Sequence, residues 1–139
     1  MSENNPSSET RLPVIGEEDA PFWEAARNHE LRMQQCNNCD YIWWAPGVVC
    51  PECWSDNYEW IELSGEGEVK TWAIFHRPYY DDIEDNLPYN VGEIELEEGP
   101  RYLANIVGCD NGDIYQGMPV EVVFEDITDE ITLPKFRPL

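Results

Sequence analysis

Two cysteine pairs carry the clearest chemistry in the sequence. Cys36-Asn37-Asn38-Cys39 is followed, after ten residues, by Cys50-Pro51-Glu52-Cys53. A two-residue spacer on a tight turn lets both sulfurs of a pair face one ion. Two such turns supply the four thiolates of a tetrahedral structural zinc site. Asn37, Asn38 and Asp40 suit the first turn, and Pro51 stiffens the second. Between them, Tyr41-Ile42-Trp43-Trp44 is a β-prone aromatic run that ends in the turn Ala45-Pro46-Gly47. The pattern predicts a zinc ribbon with Cys36, Cys39, Cys50 and Cys53 as the metal ligands. Iron in a four-sulfur site would use the same ligands. Disulfides fit less well, because no secretory signal is read and the chain is not cysteine-dense. A redox CxxC needs only one pair. A closed four-thiolate site leaves no open coordination position, so the metal is expected to hold the fold and not to hydrolyse a substrate.

The rest of the chain offers little for catalysis. It has two histidines, His29 and His76, and one further cysteine, Cys109, in Val107-Gly108-Cys109-Asp110. A neighbouring acid raises a thiol pKa, so Cys109 is expected to be inert. No nucleophile–base set is legible.

The elements that position the cysteines follow from the chain order. The 139 residues suffice for one compact domain or two small modules, and 6 Trp, 7 Tyr and 4 Phe suit β-structure. Residues 1–20 read as a disordered or extended arm, polar at first and then more apolar from Arg11. Residues 21–35 read as a helix, with acids and Pro21 at its start. Phe22, Trp23, Ala26, His29, Arg32 and Met33 form a stripe at helical spacing, suited to core packing or, slightly favoured, to docking on a partner. Residues 36–60 read as the ribbon and 61–139 as an all-β unit. That unit has strands over 68–76, 89–96, 101–107, 120–125 and 131–136, an acidic aromatic loop over 79–86, and glycine corners. Pro134 marks the last strand as an edge. Five strands without a second long helix fit a small Greek-key barrel of the OB type, with a sandwich of short strands as the alternative. The predicted fold class is mainly β: an N-terminal helix, a rubredoxin-like zinc ribbon, then a five-stranded OB-fold barrel.

Charge narrows the partners. The formal net charge is −21, from 29 acidic and 8 basic residues. Such a surface repels phosphate backbones and disfavours nucleic acid. It suits a basic protein face, or a saline habitat. No apolar run reaches the roughly 20 residues of a membrane span. A cytoplasmic location is expected from the free-thiolate ligands and the absence of an export signal.

Helix, ribbon and barrel in this order resemble the DUF35 proteins. The resemblance runs from about Phe22 to the end. It rests on Phe22-Trp23, Gln35-Cys36 and the four cysteines, then on Gly65-Glu66-Gly67 with Val69, His76-Arg77-Pro78 and Leu87-Pro88-Tyr89. It continues through Glu98-Gly99-Pro100-Arg101, Gly117-Met118-Pro119-Val120 and the tail Leu133-Pro134-Lys135-Phe136-Arg137-Pro138. What it implies is a non-catalytic zinc-binding small subunit, partnered with a thiolase-superfamily enzyme such as a thiolase, retro-aldolase or acyltransferase. The large partner would carry the catalytic residues, and the small one would support assembly and help bind an acyl-CoA thioester. CoA phosphates need cationic donors, which are rare here. His76, Arg77, Lys135 and Arg137 are the candidates for that contact; Lys70 and Arg101 are the other cations of the barrel half, and Arg101 is expected simply to pair with a carboxylate. Two rival readings are a single-strand nucleic-acid-binding OB module and a self-sufficient acyl-CoA enzyme.

Overall fold

The computed structural model describes residues 14–76 and 88–139. Most of the expected N-terminal arm, the loop at 79–86 and Arg77 lie outside the described residues. One helix, α1 (Ala20–Arg27), precedes β1 (Arg32–Cys36), β2 (Ile42–Trp43), β3 (Tyr58–Glu62), β4 (Glu66–Phe75), β5 (Tyr89–Leu96), β6 (Arg101–Ala104), β7 (Pro119–Asp126) and β8 (Thr132–Pro138). The first three strands form a sheet in the order β2-β1-β3, and the last five a sheet in the order β6-β5-β4-β7-β8. The fold is therefore mainly β, with the expected five-stranded OB-like sheet behind the ribbon.

Helix α1 is shorter than its apolar spacing suggested. Pro21 lies in the first turn, where its missing N–H costs nothing. At the other end, Glu30 N–H reaches the Ala25 carbonyl at 2.9 Å and His29 N–H the Ala26 carbonyl at 2.8 Å. His29 sits in the left-handed region at φ 61°, which completes a Schellman closure. The expectation of a helix over 21–35 is thus corrected: residues from Arg32 form β1, paired in register with β3 from Arg32↔Glu62 to Cys36↔Tyr58. The left-handed seat usually holds glycine, so the sequence carries no stop signal there. His29 is held instead by stacking on Phe124, with ring centroids 5.2 Å apart, and by a 3.0 Å hydrogen bond between Nε2 and Asp126 Oδ1. The helical stripe is core and not a docking face: Phe22, Trp23 and Ala26 are buried in the same cluster as Leu31, Met33 and the barrel interior.

That interior is lined by Val69, Ile94, Leu96, Tyr102, Val120 and Phe136. Strand β4 pairs with β5 along its length but with β7 only from Glu66 to Glu68, and an irregularity between Val69 and Thr71 re-aims it. The sheet curls until its ends almost meet. Ile106 bridges Phe136 in parallel; Phe136 N–H donates to the Asn105 carbonyl at 3.0 Å, and Val107 N–H to the Phe136 carbonyl at 2.8 Å. Two residues earlier on the same edge stands Pro134, which has no N–H to extend the seam. The result is a half-closed barrel with β8 as its outer strand, as Pro134 predicted. Gly92 permits the closure, since a Cβ there would lie 2.5 Å from Ile106 Cδ1.

Candidate functional site

The four cysteines converge from two knuckles built on one plan. In the first, Asp40 N–H bonds the Cys36 carbonyl at 3.0 Å and Cys36 N–H the Tyr41 carbonyl at 2.8 Å. In the second, Trp54 N–H bonds the Cys50 carbonyl at 2.9 Å and Cys50 N–H the Ser55 carbonyl at 2.9 Å. The residue after each second cysteine, Asp40 or Trp54, takes a left-handed conformation at φ 69° or 68°. Strand β1 ends at Cys36; Cys36 and Cys50, the first cysteine of each knuckle, are buried in a small cluster with Trp43, while Cys39 is exposed.

All four sulfurs lie within 4.8 Å of one another, with Cys36–Cys53 at 3.5 Å and Cys39–Cys50 at 3.6 Å. A tetrahedral zinc with bonds of ~2.3 Å requires sulfurs about 3.8 Å apart, so the set fits the ion. Backbone N–H groups already point at the sulfurs, from Asn38 and Cys39 to Cys36 at 3.3 and 3.4 Å and from Glu52 to Cys50 at 3.4 Å. Such donors stabilise thiolate charge. The crowd titrates unevenly. The Asn38 side chain and then the Ser55 backbone draw Cys53 down to about 6. At Cys39 a backbone bond involving Tyr41 lowers the pKa, but desolvation and sharing with the other three thiols outweigh it and push it up to about 12. A bound divalent cation is what lets all four be thiolates together. The metal would be held by Cys36, Cys39, Cys50 and Cys53, and with all four positions filled it supplies structure only.

A buried side chain supports the site from beneath. Gln34 is 1% exposed. Its Nε2 donates to the Gly47 carbonyl at 2.8 Å, and its Oε1 accepts from Gly47 N–H at 2.9 Å. The loop that carries the chain from β2 to the second knuckle is thereby fastened to β1 as if by one more strand pair. Sequence reading missed this role, and also missed the left-handed seats; their one signal is the shared position after each CxxC.

The expected CoA contacts are scattered. His76 is exposed and directly follows β4, and Arg77 lies outside the described residues. Lys135 and Arg137 share the outward face of β8, but Lys135 pairs with Glu125, and Arg137 Nε donates to Glu121 Oε2 at 2.9 Å. Arg101 pairs with Glu93 at 3.2 Å, as expected. A hollow of about 240 Å³ opens at the barrel seam, lined by Tyr89, Val91, Leu103, Leu133, Pro134 and Lys135. Another, of about 370 Å³, has Glu66, Glu68, Glu95 and Glu97 in its wall, a lining that repels phosphate. Ligand pockets usually span roughly 300–1,000 Å³, so the hollow of about 240 Å³ at the seam is by itself small for a whole cofactor.

Among the described residues no catalytic set forms. Burial, then Asp113 and Asp110, raise the Cys109 thiol. Thr132 Oγ1 donates to Asp126 Oδ1 at 2.7 Å, and that same oxygen meets His29. The carboxylate therefore stands between hydroxyl and imidazole, and His29 cannot take the hydroxyl proton directly.

Comparison with known proteins agrees with this architecture. The family description "ChsH2, rubredoxin-like zinc ribbon domain" matches residues 23–59, and "ChsH2, C-terminal OB-fold domain" matches residues 60–125. A DUF35 domain-containing scaffold protein of Methanocaldococcus jannaschii is 39% identical over 112 residues, covering 76% of this chain and 79% of that protein. The chain belongs to the DUF35 family. A probable enoyl-CoA hydratase alpha subunit of Thermomonospora curvata is 35% identical over 138 residues, 99% of this DUF35 chain. The chain spans 43% of that relative's length. The solved structure described as the Ltp2-ChsH2(DUF35) aldolase superposes with a TM-score of 0.83 at 36% identity, over 91% of this chain and 98% of that one. A DUF35 protein of Sulfolobus solfataricus has a TM-score of 0.63 at 13% identity over 89% of this chain and 87% of its own, a likeness of fold alone. No described helix is long and apolar enough to cross a membrane.

Proposed function

We propose that this chain is a non-catalytic, zinc-structured subunit of a complex with a thiolase-superfamily enzyme, a thiolase or retro-aldolase, acting on acyl-CoA thioesters. The observation that carries this reading is the likeness to the Ltp2-ChsH2(DUF35) aldolase, which takes in nearly all of both chains. A relative from Thauera aromatica described as a benzoylsuccinyl-CoA thiolase subunit, 27% identical over 79 residues, points to the same class. The closed four-cysteine site and the lack of a nucleophile–base pair among the described residues fit a supporting role. Co-expression with a thiolase-superfamily protein of the same genome tests it. The pair is expected to elute as one complex, with turnover of acyl-CoA absent from this chain alone. Separate elution, or turnover by the isolated chain, would overturn the reading.

Direct contact with CoA is the finer part of the proposal. His76, Arg77, Lys135 and Arg137 remain its candidate residues, although Glu125 and Glu121 already engage two of them. If Arg77 or Arg137 holds a phosphate, substitution by Ala raises KM for the acyl-CoA by roughly tenfold to a hundredfold, the loss of one charge-assisted hydrogen bond. Zinc content and complex size stay constant. Unchanged KM and kcat in both variants would leave assembly as the subunit's role.

A further inference from the structure

The second zinc knuckle carries a side chain that the metal site does not need. Trp54 is 80% exposed and holds φ 68°. That region is open to glycine and strained for a bulky residue. Among the described residues, no ring contact, ion pair or side-chain hydrogen bond engages the indole. An exposed aromatic kept in a strained seat suggests a contact outside the chain.

The surrounding charge says what kind. Residues 33–69 contain no Lys, Arg or His and seven carboxylates, of which Glu52 and Asp56 are exposed on either side of Trp54 in sequence. Four thiolates on a divalent ion add further negative charge. A π face in such a field attracts a cation, best over Trp, and repels a nucleic-acid backbone. The described residues of a second copy have little to offer. Among the described residues Arg32, Lys70, Arg101, Lys135 and Arg137 each already face a carboxylate, and Arg27 donates to the Glu130 carbonyl.

We propose that the second zinc knuckle is a docking point for a partner protein, with Trp54 receiving an arginine or lysine side chain of that partner inside the acidic rim of Glu52 and Asp56. The proposal rests on the subunit reading above and names a surface for it.

The test uses the full zinc-loaded chain and the co-expressed thiolase-superfamily enzyme, with Kd measured over a range of NaCl. Trp54→Gly and Trp54→Asn both suit the left-handed seat, so zinc content and Tm are expected to hold or improve. Each is expected to weaken the complex by roughly tenfold or more, as loss of an aromatic anchor does. Trp54→Phe keeps a π face and retains most of the affinity. Added salt weakens the wild-type complex. A complex whose Kd ignores both Trp54→Gly and Trp54→Asn overturns the proposal and leaves the subunit reading standing. Loss of zinc or stability in both variants also overturns it, because Trp54 is then structural. So does a wild-type Kd indifferent to salt, or a dimer of this chain alone that Trp54→Gly dissolves. If no complex forms at all, the reading and the proposal fall together.

Discussion

Gln34 is buried, in register with Trp43 and Trp60 of the neighbouring strands, and both ends of its amide are matched to Gly47. Removing it orphans the Gly47 N–H and carbonyl in a half-buried loop. Gln34→Ala is expected to cost ~1–3 kcal/mol, read as a lower urea midpoint at unchanged slope. A midpoint equal to wild type would show that water replaces the amide without loss. Cys39 behaves differently, because it is exposed and its loss empties no core. Cys39→Ser is expected to act through the metal alone. Elemental analysis after dialysis should give well under one zinc per chain, and the ribbon should unfold, since metal affinity here is folding free energy. A full zinc complement in that variant would refute the four-cysteine site. These two residues differ in legibility for a physical reason. Metal ligation by CxxC is set by local spacing, so all four cysteines could be named from the sequence. The Gln34 partner stands 13 residues away and depends on how β1 and the following loop fold together. The pairing of Lys135 with Glu125 is equally invisible, because with 29 acidic residues any cation has many candidate partners.

Helix α1 joins the ribbon to the barrel in one shared core, and the Phe22 ring touches both sides of it. Phe22 contacts Trp23 at 4.9 Å, Trp44 of the ribbon loop at 4.4 Å and Tyr102 of β6 at 6.0 Å. Because ribbon and barrel share this cluster, Phe22→Ala is expected to cost ~3–5 kcal/mol and to lower the stability of both. A chelator should likewise lower the barrel transition as well as that of the ribbon, seen as one shared calorimetric transition with zinc bound. A barrel that melts at the same temperature with and without chelator would show the two units to be independent. At this scale the strands were legible, because alternation and glycine corners repeat through the barrel sequence. The helix end was not. Met33 fits the helical stripe as well as a strand, and the helix ends before it because His29 takes a left-handed seat held against Phe124 and Asp126. Nor did the strand pattern show that the barrel stays half open; that depends on Pro134 falling where β8 would otherwise donate across the seam.

The whole molecule carries a net charge of −21 with a sequence pI of about 4.1. Its ion pairs neutralise few of the carboxylates, and exposed pairs are each worth only ~0–1 kcal/mol. Self-repulsion among the remaining acids opposes the compact state. Salt shortens the reach of that repulsion, from ~10 Å at 0.1 M to ~3 Å at 1 M. Salt also weakens the attractive pairs, such as Lys70 with Glu68 and Glu95 at 2.9 and 3.2 Å. The balance favours screening, because carboxylates far outnumber cations and the few pairs are short-ranged. Neutral pH keeps the comparison clean. Asp126 is held below its ordinary value of 3.8 by His29 and then Thr132, so its contribution is present above that value and is lost only as pH falls through the lower, folded-state pKa. Lys70 is held above 10.5 by Glu68 and Glu95, so its contribution is complete below that value and is lost as pH rises through the folded-state pKa. At pH 7 with zinc saturating, raising NaCl from 0.1 to 1 M is expected to raise Tm by about 4 °C or more, the shift that ~1 kcal/mol gives in a domain of this size. A fall in Tm over that range would mean that the ion pairs outweigh the excess of acids, and the acidic surface would then have no cost that a basic partner relieves.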